Sequence, residues 1–192
     1  KSVTQLHRAG KRIGFVPTMG CLHEGHLSLI KIARLHCDEV VVSIFVNPLQ
    51  FNDKNDFLKY PVTIEQDCRL LSDLKVHSVF LPTAEILYPP GHQTRVTPGT
   101  LSLPMEGASR PGHFEGVTTV VHILFSIVEP DCAVFGEKDF QQLRLIEQMV
   151  EDLHSTVKII RAPLIREPDG LAMSSRNVRL SPEARKKAPI IH

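Results

Sequence analysis

The sequence lacks the features that mark several classes of protein. Its four cysteines, Cys21, Cys37, Cys68 and Cys132, include no CxxC pair, so neither a zinc site nor a dense disulfide framework is indicated. The longest apolar runs, such as Val40–Val46, are far too short to cross a bilayer. There is no low-complexity segment and no internal repeat. We therefore expect a cytoplasmic protein with reduced thiols and no membrane partner.

Charge of one sign is not in excess either. Lys and Arg number 22 against 21 Asp and Glu, which leaves a formal net charge of +1 and indicates no nucleic-acid partner. Hydrophobic residues make up 42% of the 192 positions, which is ample material for a core. This length fits one good-sized domain, or one domain and the start of another.

Short apolar runs that alternate with helical patterns predict the fold class. The predicted strands are Ile13–Val16, Val40–Val46, Val79–Leu81, Cys132–Phe135 and Val157–Ile160. Alternating strands and helices form a parallel sheet that is covered on both faces. Near-continuous apolar strands are typical of such sheets. We therefore predict a Rossmann-like, doubly wound α/β fold of about five strands with helices on both faces.

Helical patterns separate these strands. Leu27, Ile30 and Leu35 recur at helical spacing after the first strand. Other predicted helices are Thr63–Leu74, with Thr63 as N-cap and Ile64 among its apolar positions, Val117–Val128 and Phe140–Leu153. Residues 83–112 hold many Pro and Gly and are predicted to be loop with little regular structure.

Polar segments follow the predicted strands at the places where parallel sheets bind ligands. Thr18–His26 follows the first strand, Asn47–Phe51 the second and Gly136–Asp139 the fourth. In open parallel sheets the ligand lies beyond the carboxyl ends of the strands, where the strand order reverses. We therefore expect three segments that are far apart in sequence to meet along one edge.

The first segment contains a His-x-Gly-His motif, with His23 and His26 three positions apart. On a first helical turn the two imidazoles share a face, and a helix N-terminus offers free N–H groups to a phosphate. Gly20 lets the backbone turn tightly and a ligand come close. Two solvated histidines or a metal pair are the alternatives, although no third metal ligand stands at an obvious spacing.

Amides and charges characterise the next two segments. Asn47 and Gln50 can orient hydroxyl and carboxylate groups because amides both donate and accept, although Asn-Pro after a strand is also an ordinary turn. Lys138 is a point charge suited to a phosphate, and Gln142 lies one helical turn beyond it. Asp139 either caps the following helix or serves the site.

A fourth segment, Met173-Ser174-Ser175-Arg176, follows an Asp-Gly turn. Two hydroxyls, backbone N–H groups and a guanidinium in so short a stretch can fold over a triphosphate. Taken alone, the segment would ordinarily be interpreted as an exposed polar loop.

Together these segments resemble those of the pantothenate synthetases, a family of the nucleotidyltransferase superfamily with an HxGH motif and a late Lys/Ser-rich phosphate loop. The resemblance implies a ligase that condenses pantoate with β-alanine through a pantoyl-adenylate and releases AMP and pyrophosphate. It also implies ATP as a substrate, Mg²⁺ and a homodimer. The stretches that carry it stand in family order over nearly the whole chain: Pro17–Leu29, Val42–Phe51, Glu106–Val117, Phe135–Gln142 and Asp169–Asn177.

The resemblance also assigns residues to the site. His26, as proton donor, would act in catalysis with His23 and Lys138, and Gln50, Gln142 and Asn47 would bind pantoate and β-alanine. Asp67 lies in a helix where some members place magnesium-associated acids, but the metal ligands stay unassigned. The ATP site would comprise Met19, Gly20, Cys21, Leu22, His23, Glu24, Gly25, His26, Gly136, Glu137, Lys138, Asp139, Ile165, Met173, Ser174, Ser175 and Arg176.

The sequence departs from the family pattern in two places. Val62 follows Tyr60-Pro61, where the family usually has Arg, and the sequence stops at His192 although the family carries a smaller C-terminal domain. We therefore expect a nucleotide-binding catalytic domain over residues 1–165, and a phosphate loop with the start of a truncated domain over residues 166–192. Such a chain is expected to fold and bind ATP but to make pantothenate poorly.

Two other functions fit part of the pattern. A nucleotidyltransferase that acts on a phosphorylated acceptor would share the histidine pair and the phosphate loop, but it would need Lys or Arg in place of Gln50 and Gln142. A non-catalytic nucleotide-binding module would bind ATP without pyrophosphate exchange. Val62 and the missing C-terminal domain favour this last alternative.

Overall fold

The fold is built on a sheet of five parallel strands. The computed structural model describes Gln5, His7 and residues 9–191, so the outermost ends of the two predicted domains, residues 1–4, 6, 8 and 192, lie outside the described residues. The sheet order is β3-β2-β1-β4-β5, and each neighbouring pair is parallel. The predicted doubly wound α/β fold is confirmed. The strands are β1 (Ile13–Thr18), β2 (Glu39–Ile44), β3 (Ser78–Phe80), β4 (Cys132–Gly136) and β5 (Lys158–Ala162).

Helices connect the strands and cover the sheet. None of the described helices is both long and apolar enough to cross a membrane. Short 3₁₀ turns lie at Pro48–Gln50, Thr100–Ser102, Glu137–Asp139, Asn177–Arg179 and Ala188–Ile191. The α-helices are α1 (Glu24–His36), α2 (Lys54–Leu58), α3 (Ile64–Asp73), α4 (Ala84–Leu87), α5 (Glu106–Ser109), α6 (His113–Val128), α7 (Phe140–Asp152) and α8 (Pro182–Lys187).

The core lies on both faces of the sheet, because successive residues of a strand point to opposite sides. Phe15 and Val41 belong to one buried cluster that includes residues of α6 and α7. Val16 and Val42 belong to a second cluster with residues of α1 and α3. Every strand that runs through the middle of the sheet is therefore buried on both sides, as its apolar sequence predicts.

The order of the strands creates a crevice between β1 and β4. The chain first builds outward from β1 through β2 to β3, and it then returns by way of α6 to place β4 on the other side of β1. The segments that leave the carboxyl ends of β1 and β4 consequently run to opposite sides. This is the position at which open parallel sheets bind ligands.

Two apolar positions of the predicted helices are exposed, and residues 83–112 depart from the prediction. Leu35 is 81% exposed, because Leu27 and Ile30 define the buried face of α1 and residue 35 lies away from it. Ile64 is 43% exposed at the start of α3. Residues 83–112 hold more regular structure than predicted, since α4, α5 and one 3₁₀ turn lie within them.

Helix α6 lies close to the turn after β2 at Gly116. A Cβ at this position would lie 2.4 Å from the carbonyl oxygen of Leu49 and 2.7 Å from the nitrogen of Gln50. The Gly116 carbonyl oxygen also accepts a hydrogen bond of 3.1 Å from the side chain of Asn47. The lack of a side chain at Gly116 therefore lets the turn lie directly on the helix.

We predict that Gly116→Ala lowers the free energy of unfolding by up to about 2 kcal/mol. Overpacking costs about 1–3 kcal/mol, and the backbone atoms that the new methyl group meets cannot rotate away, although Ala favours a helix by about 1 kcal/mol over Gly. Urea denaturation checks this value. Gly99→Ala is the matched control, because nothing lies within 4 Å of a Cβ there. Equal stability of the two variants would contradict the close approach.

Candidate functional site

A cavity of about 210 Å³ lies at the carboxyl ends of the strands. It takes residues from the segments that follow β1, β2, β4 and β5, so the polar segments that the sequence predicts to meet at this edge do meet there. The predicted site residues that line it are Met19, His23, Gly25, His26, Asn47, Gln50, Gly136, Lys138, Asp139, Gln142, Ile165, Met173, Ser174, Ser175 and Arg176.

Five residues that were predicted to belong to the ATP site do not line this cavity. Glu24 and Glu137 are exposed. Gly20, Cys21 and Leu22 belong to the turn between β1 and α1 and are absent from the lining of the cavity. Consecutive side chains point in different directions, so only some residues of Met19–His26 and Gly136–Asp139 line the cavity.

The turn between β1 and α1 is held by the buried carboxylate of Asp67 on α3, which is 1% exposed. Its oxygens accept hydrogen bonds from the backbone nitrogens of Cys21 (2.9 Å) and Leu22 (2.8 Å) and from the hydroxyl of Thr63 (3.2 Å). Thr63 is the N-cap residue of α3 as predicted, but its side chain bonds Asp67 and caps no backbone N–H. Both carboxylate oxygens therefore serve the backbone of this turn.

The turn needs this support because its backbone is unusual. Gly20 has a φ of +83° and Cys21 a φ of +49°. A residue with a side chain rarely adopts a positive φ, and it does so where the surroundings hold it there. The two bonds to Asp67 lie at and directly after the strained residue. Asp67 therefore sets the path on which the chain enters α1.

The two histidines of the motif begin α1 by capping it reciprocally. His23 is the N-cap residue, and its Nδ1 accepts a hydrogen bond of 3.1 Å from the nitrogen of Gly25. The Nδ1 of His26 accepts one of 3.3 Å from the nitrogen of His23. A neutral imidazole that accepts at Nδ1 carries its hydrogen on Nε2. Each ring is therefore left with an Nε2–H donor, and the ring centroids lie 4.1 Å apart.

Both rings are held in the neutral form. Burial, followed by the charges of His23 and Lys138, lowers the pKa of His26 to about 3. Burial and the charge of Lys138 also lower the pKa of His23, against a smaller opposite effect of Glu167. Near neutral pH the two histidines therefore present hydrogen-bond donors without a full positive charge.

A chain of hydrogen bonds orients the amide of Gln50. Asn47 is 1% exposed and donates from Nδ2 to Gln50 Oε1 (3.0 Å) and to the carbonyl of Gly116. Its Oδ1 accepts from the nitrogen of Leu49 (3.2 Å) and from the Tyr88 hydroxyl (2.8 Å), whose pKa burial raises to about 12. The Oε1 of Gln50 is thus occupied, and one N–H of its Nε2 group donates to the sulfur of Met19 (3.4 Å), which leaves the second N–H to offer as a donor.

An apolar wall lines the cavity beside these amides. It consists of Val117, Val120, Val121 and Leu124 on α6, with Phe45 after β2. Sequence reasoning identified Val117–Val128 as a buried helix but not as a wall of the site, because a valine-rich helix has the same pattern in a core and beside a ligand. Further lining residues that it missed are Pro17, Thr18, Leu29, Tyr60, Val134, Phe135, Pro163 and Leu164.

The segment that follows β5 closes the cavity on the remaining side. The nitrogen of Met173 donates to the carbonyl of Ile165 (3.1 Å), and the hydroxyl of Ser175 donates to the carbonyl of Cys21 (2.9 Å). Ser175 is 7% exposed, so this segment is docked on the turn before α1 and is not a free polar loop. Lys138 lies nearby and pairs with Asp139 at 2.8 Å.

Two residues left open by the sequence have clear positions. Asp139 is the N-cap residue of α7 but makes no capping hydrogen bond, and its carboxylate instead pairs with Lys138. Val62, where the resembling family usually has Arg, is 65% exposed and lies away from the main cavity.

Among the described residues, no group of three or more His, Cys, Asp or Glu side chains could hold a metal ion.

Comparison with known families agrees with this geometry. A family model described as pantoate-beta-alanine ligase matches residues 1–192. A pantothenate synthetase of Trichlorobacter lovleyi is 57% identical over 192 residues, which cover all of this chain and 68% of that protein. The chain spans about two thirds of the length of the curated relatives that it matches.

Two solved structures of this family also have folds very similar to that of this chain. The crystal structure of pantothenate synthetase from Thermus thermophilus has a TM-score of 0.93 and 51% identity, over 99% of this chain and 70% of that one. A pantoate-beta-alanine ligase from Francisella tularensis, complexed with beta-gamma ATP and beta-alanine, has a TM-score of 0.92 and 44% identity. The match covers all of this chain and 76% of the Francisella chain.

The low pKa of His26 predicts a specific dependence of stability on pH. As the pH falls through about 6.5 the unfolded chain takes up a proton on this ring, whereas the folded chain does so only near 3. The unfolded state binds more protons in this window, so stability is lost as the pH falls from 6.5 towards 3. Between pH 7 and pH 5 we expect His26 to account for a loss of about 1–2 kcal/mol.

The variant His26→Gln isolates this contribution. Glutamine at this position can accept the same hydrogen bond from the N-cap nitrogen, as in an ordinary capping box, but it does not titrate. Urea unfolding at pH 7 and pH 5 should show a smaller loss in the variant than in the parent chain. The same loss in both would show that the ring of His26 is not held neutral by the fold.

Proposed function

The chain belongs to the pantoate–β-alanine ligase family, and on this basis we propose that it joins pantoate to β-alanine through a pantoyl-adenylate. In the first step the pantoate carboxylate attacks the α-phosphorus of ATP, and the bond from this phosphorus to the pyrophosphate oxygen breaks. In the second step the amine of β-alanine attacks the acyl carbon, loses a proton and expels AMP. Pantothenate, AMP and pyrophosphate are the products.

The observation that carries this proposal is that one cavity has two chemically distinct sides. One side brings together the amides of Gln50 and Gln142 and the apolar wall of α6. Pantoate has a carboxylate, two hydroxyls and a dimethyl-substituted carbon, which match amide donors and an apolar surface. The Nε2 group of Gln50 has one N–H beyond the one that it donates to Met19, and this donor suits the carboxylate or hydroxyl oxygens of pantoate.

The other side supplies donors and positive charge for a triphosphate. His23 and His26 would donate from Nε2, the hydroxyl of Ser174 would donate from the segment that Ser175 docks on the carbonyl of Cys21, and two cations line this part of the cavity. These cations are Lys138 and Arg176. Met19, Gly25, Gly136, Asp139, Ile165 and Met173 would complete the surface around ATP. Gly20, Cys21 and Leu22 would contribute the path of the turn.

These residues can perform the first step without a general base. The pantoate carboxylate is already ionised near neutral pH, so the protein has to hold the reactants in line and stabilise charge on the phosphorus and on the departing pyrophosphate. The low pKa of His26 makes it a neutral hydrogen-bond donor in this step. We propose that His26 stabilises the transition state by donation from Nε2.

We propose that Mg²⁺ enters as the complex with ATP, held by phosphate oxygens. Asp67, the acid that the resemblance brings near a metal, already uses both oxygens for Cys21, Leu22 and Thr63. The acids among the described residues form no cluster for a metal ion, so no step is assigned to a protein-bound metal. A bound metal complex of ATP would reduce the charge on the phosphates.

The pantoate side of the cavity does not favour a phosphorylated acceptor. Such an acceptor requires Lys or Arg, whereas the polar side chains beside the wall of α6 are amides. Pantoate-dependent ATP–pyrophosphate exchange tests the ligase directly. The 192-residue chain should be assayed beside a version extended to the length of its relatives. Binding of ATP without exchange in both versions would favour a non-catalytic nucleotide-binding module.

We propose that the protein acts in the cytoplasm and forms a homodimer, as the resemblance implies. We also propose a division into a catalytic domain over residues 1–165 and a phosphate loop with the start of a smaller domain over residues 166–192. Sedimentation of the chain would test the oligomeric state.

We predict that His26→Ala slows pantoate-dependent pyrophosphate exchange by about 10²–10³, the usual effect of removing one preorganised donor to a transition state. His36→Ala is the matched control, since His36 lies exposed in the last turn of the same helix. The exchange rate is measured at saturating ATP and pantoate, with folding checked by circular dichroism. An exchange rate near that of the parent chain in a folded variant would remove His26 from the mechanism.

We predict that Gln50→Ala and Gln142→Ala raise the KM for pantoate far more than the KM for ATP, because both amides project into the side of the cavity assigned to pantoate. Gln148→Ala, on α7 but outside the cavity, serves as the control. Initial rates with each substrate varied in turn provide the measurement. A rise in the KM for ATP with no change in pantoate dependence would show that the two sides are assigned wrongly.

A further inference from the structure

Asp56 on the short helix α2 bridges two arginines of the segment that closes the cavity. Its Oδ2 accepts a hydrogen bond of 2.9 Å from Arg176, and its Oδ1 accepts one of 2.6 Å from Arg179. The Asp56 side chain is 26% exposed. The hydrogen bond from Arg176, with the further help of Arg179, lowers the pKa of Asp56, so the carboxylate is ionised near neutral pH. The carboxylate of Asp56 thus connects the segment after β2 to both Arg176 and Arg179 of the segment that closes the cavity.

The guanidinium of Arg176 is confined from other directions as well. It lies 5.3 Å from the ring centroid of Tyr60 and 5.9 Å from that of Phe51, distances at which a cation is attracted to an aromatic face. Arg176 also lines the cavity. An arginine has five N–H donors in a planar fork, so a bond to Asp56 leaves donors for a second anion.

We propose that Asp56 is a positioning residue that holds the guanidinium of Arg176 at the cavity for the triphosphate of ATP. This inference rests on the proposed function, because it takes the ligand at this place to be ATP. The side chain of a free arginine loses rotamer freedom when it binds a phosphate. An arginine that Asp56, Tyr60 and Phe51 already hold has lost that freedom before ATP arrives.

The sign of the effect separates positioning from simple electrostatics. Asp56 carries a negative charge close to the place of an anionic ligand, so its charge alone would weaken the binding of ATP. Removing that charge would then strengthen binding. If Asp56 acts by holding Arg176, its removal weakens binding in spite of the charge. The two explanations therefore predict changes of opposite direction.

The test is calorimetric titration of the chain with MgATP in the absence of pantoate. We expect Asp56→Asn to raise the Kd by about threefold to tenfold, the range that corresponds to ordering one flexible side chain. Glu147→Gln is the matched control, because Glu147 also pairs with two arginines, Arg144 and Arg161, and does not line the cavity. Its Kd should equal that of the parent chain. Half-exposed ion pairs contribute little to folding, and circular dichroism checks that both variants fold.

A double-mutant cycle with Arg176→Ala decides whether Asp56 acts through this arginine. In the Arg176→Ala background, Asp56→Asn should cause no further loss of affinity. Weakening by the same factor in both backgrounds would overturn the inference, as would unchanged or tighter binding by the single variant. If the parent chain binds MgATP and only the coupling is absent, the inference fails and the proposed function stands. Failure of the parent chain to bind MgATP would overturn both.

Discussion

The site depends on one buried interaction, the bonds from Asp67 to the backbone of the turn between β1 and α1. Two N–H groups of this turn donate to a single carboxylate, and their partial positive charges stabilise its negative charge. The carboxylate in turn gives partners to two donors that would otherwise be buried without any. The backbone can therefore pass through two consecutive residues of positive φ. The direction of α1, and with it the position of both histidines, follows from this turn.

The second side of the cavity has its own buried support. The amide of Asn47 is held by two backbone partners, the nitrogen of Leu49 and the carbonyl of Gly116. Its hydrogen bond to Oε1 in turn orients the side chain of Gln50. The carbonyl of Gln50 is held in addition by His113 at 2.7 Å. Polar groups buried in this way rigidify a site when each has its partner. Helix α6 thus orders the amides at its start and provides the apolar wall further along.

The segments of the site could be predicted from the sequence, but the supporting roles of Asp56 and Asp67 could not. Short apolar runs each end in polar residues, and the geometry of a parallel sheet brings such ends together, so His26, Gln50 and Lys138 could be placed at one edge. The supports are different, because their effect depends on partners that are distant in sequence. Asp56 bonds a residue 120 positions away and Asp67 one 46 positions away. No local pattern distinguishes these two acids from surface carboxylates.

The reciprocal capping of α1 restricts which side chains the motif can tolerate. A lysine or arginine would bring more positive charge to a phosphate than a neutral imidazole does, but neither has an acceptor atom with which to begin a helix. Histidine accepts at one edge of its ring and donates at the other. In the first turn of α1 each histidine therefore caps the helix and also offers a donor to the ligand. A substitution that only improved binding of the ligand would remove a cap from the helix end on which the ligand-binding side chain lies.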